Sequence, residues 1–436
     1  MRLVLAGVLA LTSVGTAWTQ QPSPATTSQA QLEVTLNEAV QRALQVQPAM
    51  VVARGDQRNS GASKRSAYGA FIPSLSVGAS AARSNVGRID ATTGRPIPPE
   101  YTYTGSLNAS LELFDGFRRI ANLKATSALK TAADAGVVNE RFATTLQTKQ
   151  LFYTAVANEA LVRVADAQLK RAQQQLQISV EKLRAGSATR SDSLRSTVEF
   201  GNARIDLLRA QANLATAQAD LGRQVGVDGL VRAVFDSLLP TIPDTTELRA
   251  TALSSSPAVE QAEARASAAR AQVWSTRSQY WPTLVVSYNN NRQGSENPNW
   301  PFFSNFPETF QWRFGVSWPL LNGFTREANQ VSASVDRDVA VARAADTRRQ
   351  ISALVTQQLA VLTTAFEQIT IARENMAAAT EDLRVQNERY RVGAATILDL
   401  LISQAALTQA EVNVVQTQFS YLIARAQLEA TVGRTL

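Results

Sequence analysis

The stretch "EKLRAGSATRSDSL" occupies residues 181–194, and "ERYRVGAATILDLL" occupies residues 388–401. Arg184 aligns with Arg391, Gly186 with Gly393, Thr189 with Thr396 and Asp192 with Asp399, at a constant offset of 207 residues. The offset extends outward. "SLELFDGF" from Ser110 matches "SWPLLNGF" from Ser317, and Val225-Gly226 matches Val432-Gly433. Further upstream it becomes 209, where "ALQVQP" ending at Pro48 matches "ALSSSP" ending at Pro257 and Pro73 matches Pro282. The chain therefore reads as a tandem duplication, with repeats at 36–226 and 245–436 joined by a linker at 227–244.

Read locally, Arg184-Ala-Gly186 ends a helix, because glycine accepts the left-handed conformation at C′ and basic residues suit the negative helix end. Thr189 to Asp192 and Thr396 to Asp399 have the spacing of a capping box, with Asp in place of the usual Glu or Gln. Each motif thus predicts a tight helical hairpin. The flanking sequence agrees, since Leu400, Leu407, Val414, Tyr421 and Leu428 recur every seven residues, as do Phe200, Leu207, Leu214 and Leu221. Heptads imply left-handed coiled-coil packing. No proline interrupts 326–392, so that segment can run about 100 Å as one helix.

Other segments alternate with period two, as strands with one apolar and one polar face do. Leu75, Val77, Ala79 and Ala81 face one way in the first run. Tyr101, Tyr103, Leu107, Ala109, Leu111 and Leu113 alternate with Thr102, Thr104, Ser106, Asn108, Ser110 and Glu112. In the second repeat Leu284, Val286 and Tyr288 share a face, and Phe310, Trp312, Phe314, Val316 and Trp318 alternate with Gln311, Arg313, Gly315 and Ser317. Tyr101, Tyr103, Trp281, Phe310, Trp312 and Trp318 suit the interfaces of a bilayer. Four strands of about ten residues are long enough to cross one. A membrane sheet must close, and about eight strands are the practical minimum. Several chains must therefore contribute; a trimer gives twelve strands, with the long helices gathered into a ring beneath. The polar strand faces would line the pore, with Glu112 and Arg313 its charges, and loops at 83–100 and 289–308 would face outside. Trp300, Phe302, Phe303 and Phe306 would cluster in the second loop.

Composition excludes much. The 436 residues include no Cys and no His, which removes disulfides, ordinary zinc sites and every His-based catalytic group. The net charge of +7 is scattered rather than gathered into a patch for nucleic acid. No catalytic constellation, cofactor site or metal site is expected. The first 19 residues resemble a secretory signal peptide, and 20–35 read as a flexible leader. Without cysteine there is no N-terminal lipid anchor.

The order strand pair, long helix, Gly-bearing turn and helix, written twice, resembles the TolC-like outer membrane factor family. "LELFDGFRR", "ERYRVGAATILDLLISQ" and the paired "AL…P" helix starts carry the resemblance. It implies a mixed α and β membrane protein, a homotrimer with a 12-stranded transmembrane β-barrel (four strands per chain) continued by a long periplasmic α-helical barrel. The implied site is the outer membrane of a Gram-negative-type bacterium. The implied partners are outer membrane lipid, a periplasmic adaptor and an inner-membrane transporter. The implied role is the exit duct of a tripartite efflux pump or type I secretion system. A stand-alone porin and a structural coiled-coil periplasmic protein are the competing readings, and the long helices argue against the porin. By resemblance, Gly186, Thr189, Gly393 and Thr396 form the hairpin tips that meet the adaptor, and Asp192 and Asp399 form a periplasmic gate. Like charges gathered there would raise carboxyl pKa values. Some family members carry a further tip aspartate and an arginine where this chain has Ile402 and Ala395.

Overall fold

The computed structural model describes residues 32–83, 85, 88–89, 92–97, 101–235, 254–296, 298–299 and 304–436. The first half comprises β1 (Leu32–Thr35), α1 (Leu36–Val46), α2 (Pro48–Gly69), β2 (Ser74–Arg83), β3 (Arg88–Ile89), β4 (Pro96–Ile97), β5 (Tyr101–Phe114), α3 (Arg118–Arg184), α4 (Arg190–Val225) and β6 (Val231–Val234). The second half comprises α5 (Pro257–Arg277), β7 (Thr283–Gly294), β8 (Glu308–Ser317), α6 (Thr325–Arg391) and α7 (Ile397–Val432). The halves match in length as well as order: α3 and α6 each have 67 residues, and α4 and α7 each have 36. Pro48 and Pro257 open α2 and α5, where a helix has no use for the missing N–H. Among the described residues no helix is long and apolar enough to cross a membrane.

Four strands form one antiparallel sheet in the order β2-β5-β7-β8, while β3 and β4 make a small separate hairpin. The registers sort the side chains cleanly. Val77, Leu107, Asn290 and Phe310 lie in one row, and Leu75, Ala109, Tyr288 and Trp312 in the next. The opposite face holds rows such as Ser76, Asn108, Asn289 and Gln311. A register shift between Glu112 and Phe114 turns Phe114 opposite Leu284, so the apolar face extends to the end of β5. The outside loop expected from residue 289 begins later, because β7 runs to Gly294 in register with β5 and β8. Its polar run of three asparagines hides a strand whose ladder is supplied by neighbours on both sides. Of the aromatic loop residues, Trp300, Phe302 and Phe303 lie outside the described residues; Phe306 is buried, its ring filling the space beside Gly294.

Two boundaries are corrected. Leu32–Thr35, expected in the flexible leader, pairs in parallel with Val231–Val234, expected in the linker. Val34 and Val231 are buried in the main core, so these segments are pinned by packing. Four residues are too few for alternation to reveal a strand. The expected signal peptide and most of the expected leader lie outside the described residues.

The helices meet across the repeats. α3 packs against α4 and α2 of its own half and against α5 and α7 of the other. α6 packs against α5 and α7. The main core gathers Phe152, Leu221, Leu362, Tyr421 and Leu428 where these elements converge. There Lys149 pairs with Glu429, and burial together with the charge of Glu429 pushes the Tyr153 phenol up to about 12. A second, smaller core near the hairpin end holds Leu383, Tyr390, Ile397, Leu400 and Leu407.

Candidate functional site

The repeated motif folds into two hairpin tips, each built twice over by the same bonds. At the first, the Gly186 N–H donates to Leu183 O at 3.0 Å and the Ser187 N–H to Lys182 O at 2.9 Å, with Gly186 at φ 73°. At the second, Gly393 donates to Tyr390 O and Ala394 to Arg389 O at 2.8 Å, with Gly393 at φ 81°. This is the two-bond glycine cap that satisfies the last carbonyls of a helix. The next helix starts at once. The Asp192 N–H donates to Thr189 Oγ1 at 3.2 Å, while Asp192 Oδ2 accepts from the Thr189 N–H at 2.9 Å and hydroxyl at 2.8 Å. Asp399 and Thr396 repeat the box at 3.2, 2.9 and 2.7 Å.

These bonds change the electrostatic expectation. The Thr396 hydroxyl, then its backbone N–H, hold the Asp399 carboxyl below its usual range. Within one chain the nearby Arg389 lowers it further, and burial opposes these effects. Asp399 is ionised across the neutral range.

Sequence reasoning missed two tip residues. Lys182 donates to Tyr390 O at 2.5 Å and sits 4.0 Å over the Tyr390 ring, joining the two hairpins. Burial, then the charge of Asp192, hold the Tyr390 phenol above its usual range, which puts Asp192 of one hairpin within reach of Tyr390 of the other. In the sequence Tyr390 only continues the seven-residue spacing of Ile369, Met376 and Leu383. Ile402 is exposed on the first turns of α7, and Ala395 packs beside the smaller core.

At the other end, the expected aromatics occupy two levels of the sheet. Tyr101 stacks on Tyr103 near the loop end, while Phe310 lies lower, in the row of Leu107. Trp281 precedes β7 at the helix end, where the Trp318 indole N–H donates to Tyr280 O at 3.2 Å. Trp312 lies between the levels, 4.9 Å from Tyr288. Between the two ends runs β7, 12 residues from Thr283 to Gly294. Glu112 and Arg313 both fall on the polar face, but they are not equivalent. Glu112 accepts from Arg118 at 2.7 Å, so its charge is compensated.

The duplicated frame is matched elsewhere. A model of the outer membrane efflux protein family matches residues 39–227 and 248–434. The chain belongs to this family. It is 23% identical over 380 residues to the probable efflux pump outer membrane protein TtgC of Pseudomonas putida, covering 83% of this chain and 75% of that one. It is 23% identical over 377 residues to the proteases secretion protein PrtF of Dickeya chrysanthemi, covering 83% and 80%. The crystal structure of the outer membrane protein VceC from Vibrio cholerae shares the fold, with a TM-score of 0.80 at 19% identity over 92% of this chain and 96% of that one.

Proposed function

We propose that three copies of the chain close head to tail into a channel-tunnel, the outer membrane exit duct of a tripartite efflux pump or type I secretion system. One observation carries this: the three main contacts between the two repeats each have a copy that a single chain leaves unmade. Within the chain β5 pairs with β7, α3 packs on α5, and α3 packs on α7. Moved on by one repeat, these contacts become β8 with β2, α6 with α2, and α6 with α4.

The surfaces for those missing contacts are open. β8 and β2 are the two edges of the sheet. On α4, Leu194, Val198, Ile205 and Leu208 are between 48% and 63% exposed, although they copy the α7 stripe that meets α3. Val331, Val335 and Ile371 are exposed on α6. Even the strand-to-helix turns agree. A Cβ on Gly116 would lie 2.6 Å from the Ser278 carbonyl, whereas one on its copy, Gly323, would meet nothing within 4 Å. The copies of Ser278 and Trp281 are Gly69 and Ile72, and Ile72 is exposed.

A head-to-tail contact either closes into a ring or grows into a filament. Three copies give twelve strands, enough to leave an aqueous lumen where eight would be filled by side chains. The apolar sheet face then meets lipid and the polar face lines the pore. The 67-residue helices run on into the periplasm, and the tips carrying Gly186, Thr189, Gly393 and Thr396 meet the adaptor and transporter. Asp192 and Asp399 ring the gate while capping their helices.

The chain has no native cysteine, so the test is clean. Ile205→Cys with Ile371→Cys places one cysteine on each side of the missing seam, copying Val412 and Val164, which line one cleft inside the chain. Oxidation of the detergent-solubilised protein is expected to give covalent trimers. A monodisperse monomer in light scattering, with no cross-linked species, refutes the ring.

A further inference from the structure

The polar face of the sheet is almost free of charge. Row by row toward the loops it carries Ser76, Asn108, Asn289 and Gln311, then Gly78, Ser106, Asn291 and Thr309, then Ser80, Thr104 and Gln293. Arg313 stands in the row of Ser287, Ser110 and Ser74, where the Ser74 and Ser110 hydroxyls are 2.8 Å apart. Glu112 lies one row nearer the helices, opposite Val285, and spends its charge on Arg118. Asp115, just beyond, is held by Arg119 at 3.1 Å. Among the described residues no carboxylate pairs with Arg313. Nor does the fold demand it, since the copy of Arg313 in the first repeat is Ser106.

Resting on the trimeric reading, we propose that three Arg313 side chains form a cationic ring in the barrel lumen, which makes the outer-membrane end selective for anions. Twelve strands tilted at about 40° place the backbone roughly 12 Å from the axis. An extended arginine covers about half that distance, so a solute in transit passes all three guanidiniums. Each offers a planar set of N–H donors matched to carboxylate, sulfate and phosphate oxygens, and the serine hydroxyls beside it donate as well. Such a ring concentrates anions without holding them, because water and the wide lumen let them leave. The duct then has two filters of opposite sign, acidic at the tips and basic in the barrel. The cargo class favoured by the second is a solute bearing exposed oxyanions.

The experiment is a planar-bilayer recording of the purified trimer, with inositol hexakisphosphate added to the loop side. Block of the unmodified channel is expected at about a tenfold lower concentration than for Arg313→Gln, with the difference shrinking as salt rises. Arg313→Lys keeps the charge and should keep the block. Arg313→Glu should lose it and become sensitive to hexaamminecobalt(III) from the same side. Equal block of the unmodified channel and Arg313→Gln, with both running as heat-resistant trimers, overturns the ring while leaving the exit duct intact. Absence of any conductance from the unmodified trimer would overturn the duct and the ring together.

Discussion

Where α7 meets α3 inside the chain, Arg171 donates to both Glu411 carboxylate oxygens at 3.1 and 2.8 Å and to Thr408 at 3.2 Å. Nearer the main core, Lys149 pairs with Glu429. One repeat away, the same four positions are occupied by Ala378, Arg204, Thr356 and Gly222, and no ion pair can form. What the second seam has instead is the stripe of Leu194, Val198, Ile205 and Leu208 on α4, where α7 carries Leu401, Ala405, Val412 and Val415. The made seam joins segments already tethered, so directional polar contacts suffice to set its register. The proposed seam must form between separate chains, and apolar burial supplies the drive. The difference also guards against mispairing. If α4 of another copy took the place of α7 on α3, Arg204 would face Arg171, a like-charge clash that disfavours that arrangement.

The largest effect is expected from breaking the open seam. Ile205→Asp with Leu208→Asp should abolish the trimer while the chain keeps its helical content, because those side chains are 48% and 58% exposed within it; full burial of each is worth about 1.5–3 kcal/mol. Light scattering and circular dichroism together read the two outcomes. A stable trimer from this variant would mean that the seam lies elsewhere. Val412→Asp, at the copied position, should instead damage the folding of the single chain.

The turns sharpen the same contrast. Gly116→Ala adds positive-φ strain and a backbone clash, so about 3 kcal/mol of chain stability should go. Gly323→Ala has the strain without an in-chain clash; its additional cost should appear as weaker trimerisation. Equal loss of trimer stability in the two variants would leave the copied contact without support.

Next comes the ion pair. Arg171 and Glu411 are each 21% exposed, so their interaction is discounted relative to a fully buried pair. Glu411→Ala should cost about 1–2 kcal/mol in chemical denaturation by leaving Arg171 partly buried and alone. Arg171→Met with Glu411→Leu should recover most of that loss. A double variant no better than the single would assign Glu411 a role beyond pairing.

The smallest effect concerns the tips. The Asp399 carboxyl is depressed below 3.8 in the folded chain. Its cap therefore contributes fully above that value and is lost as pH falls through the lower folded value. The contribution of Asp399 to thermal stability should be constant between pH 5 and 8 and should be lost only in acid. Asp399→Asn with Asp192→Asn should leave the trimer intact yet weaken cation selectivity and trivalent-cation block from the tip side. Unchanged selectivity with a lowered melting temperature would make the aspartates caps alone.

Much of this was open to reading in the chain itself. The glycine caps and capping boxes are local, involving residues three to five apart, and each type of residue has one efficient use there. The long helices were marked by heptads and the sheet faces by alternation. What escaped was non-local or too short. β1 and β6 are four residues each and are stabilised by a core assembled from distant helices. The end of β7 lacks alternation because polar Asn290 and Arg292 occupy the otherwise apolar face. Lys182 over Tyr390 joins residues 208 apart, and no local pattern foretells a cation resting on a ring.

The sequence by itself determined the duplication, the long helices and the glycine-bearing hairpins, because all three are written as spacing and periodicity; its motifs carried the resemblance to the family. Tertiary structure decided which copies of each contact are made and which remain open. That choice depends on how one repeat folds against the other: α3 is covered by α5 and α7, whereas α6 packs mainly on α5 and α7 of its own repeat. It also decided that Glu112 is neutralised by Arg118 while Arg313 is not, since a charge's partner is fixed by distance in space. Equivalent positions in two repeats become physically different once one chain ends and the next has to begin.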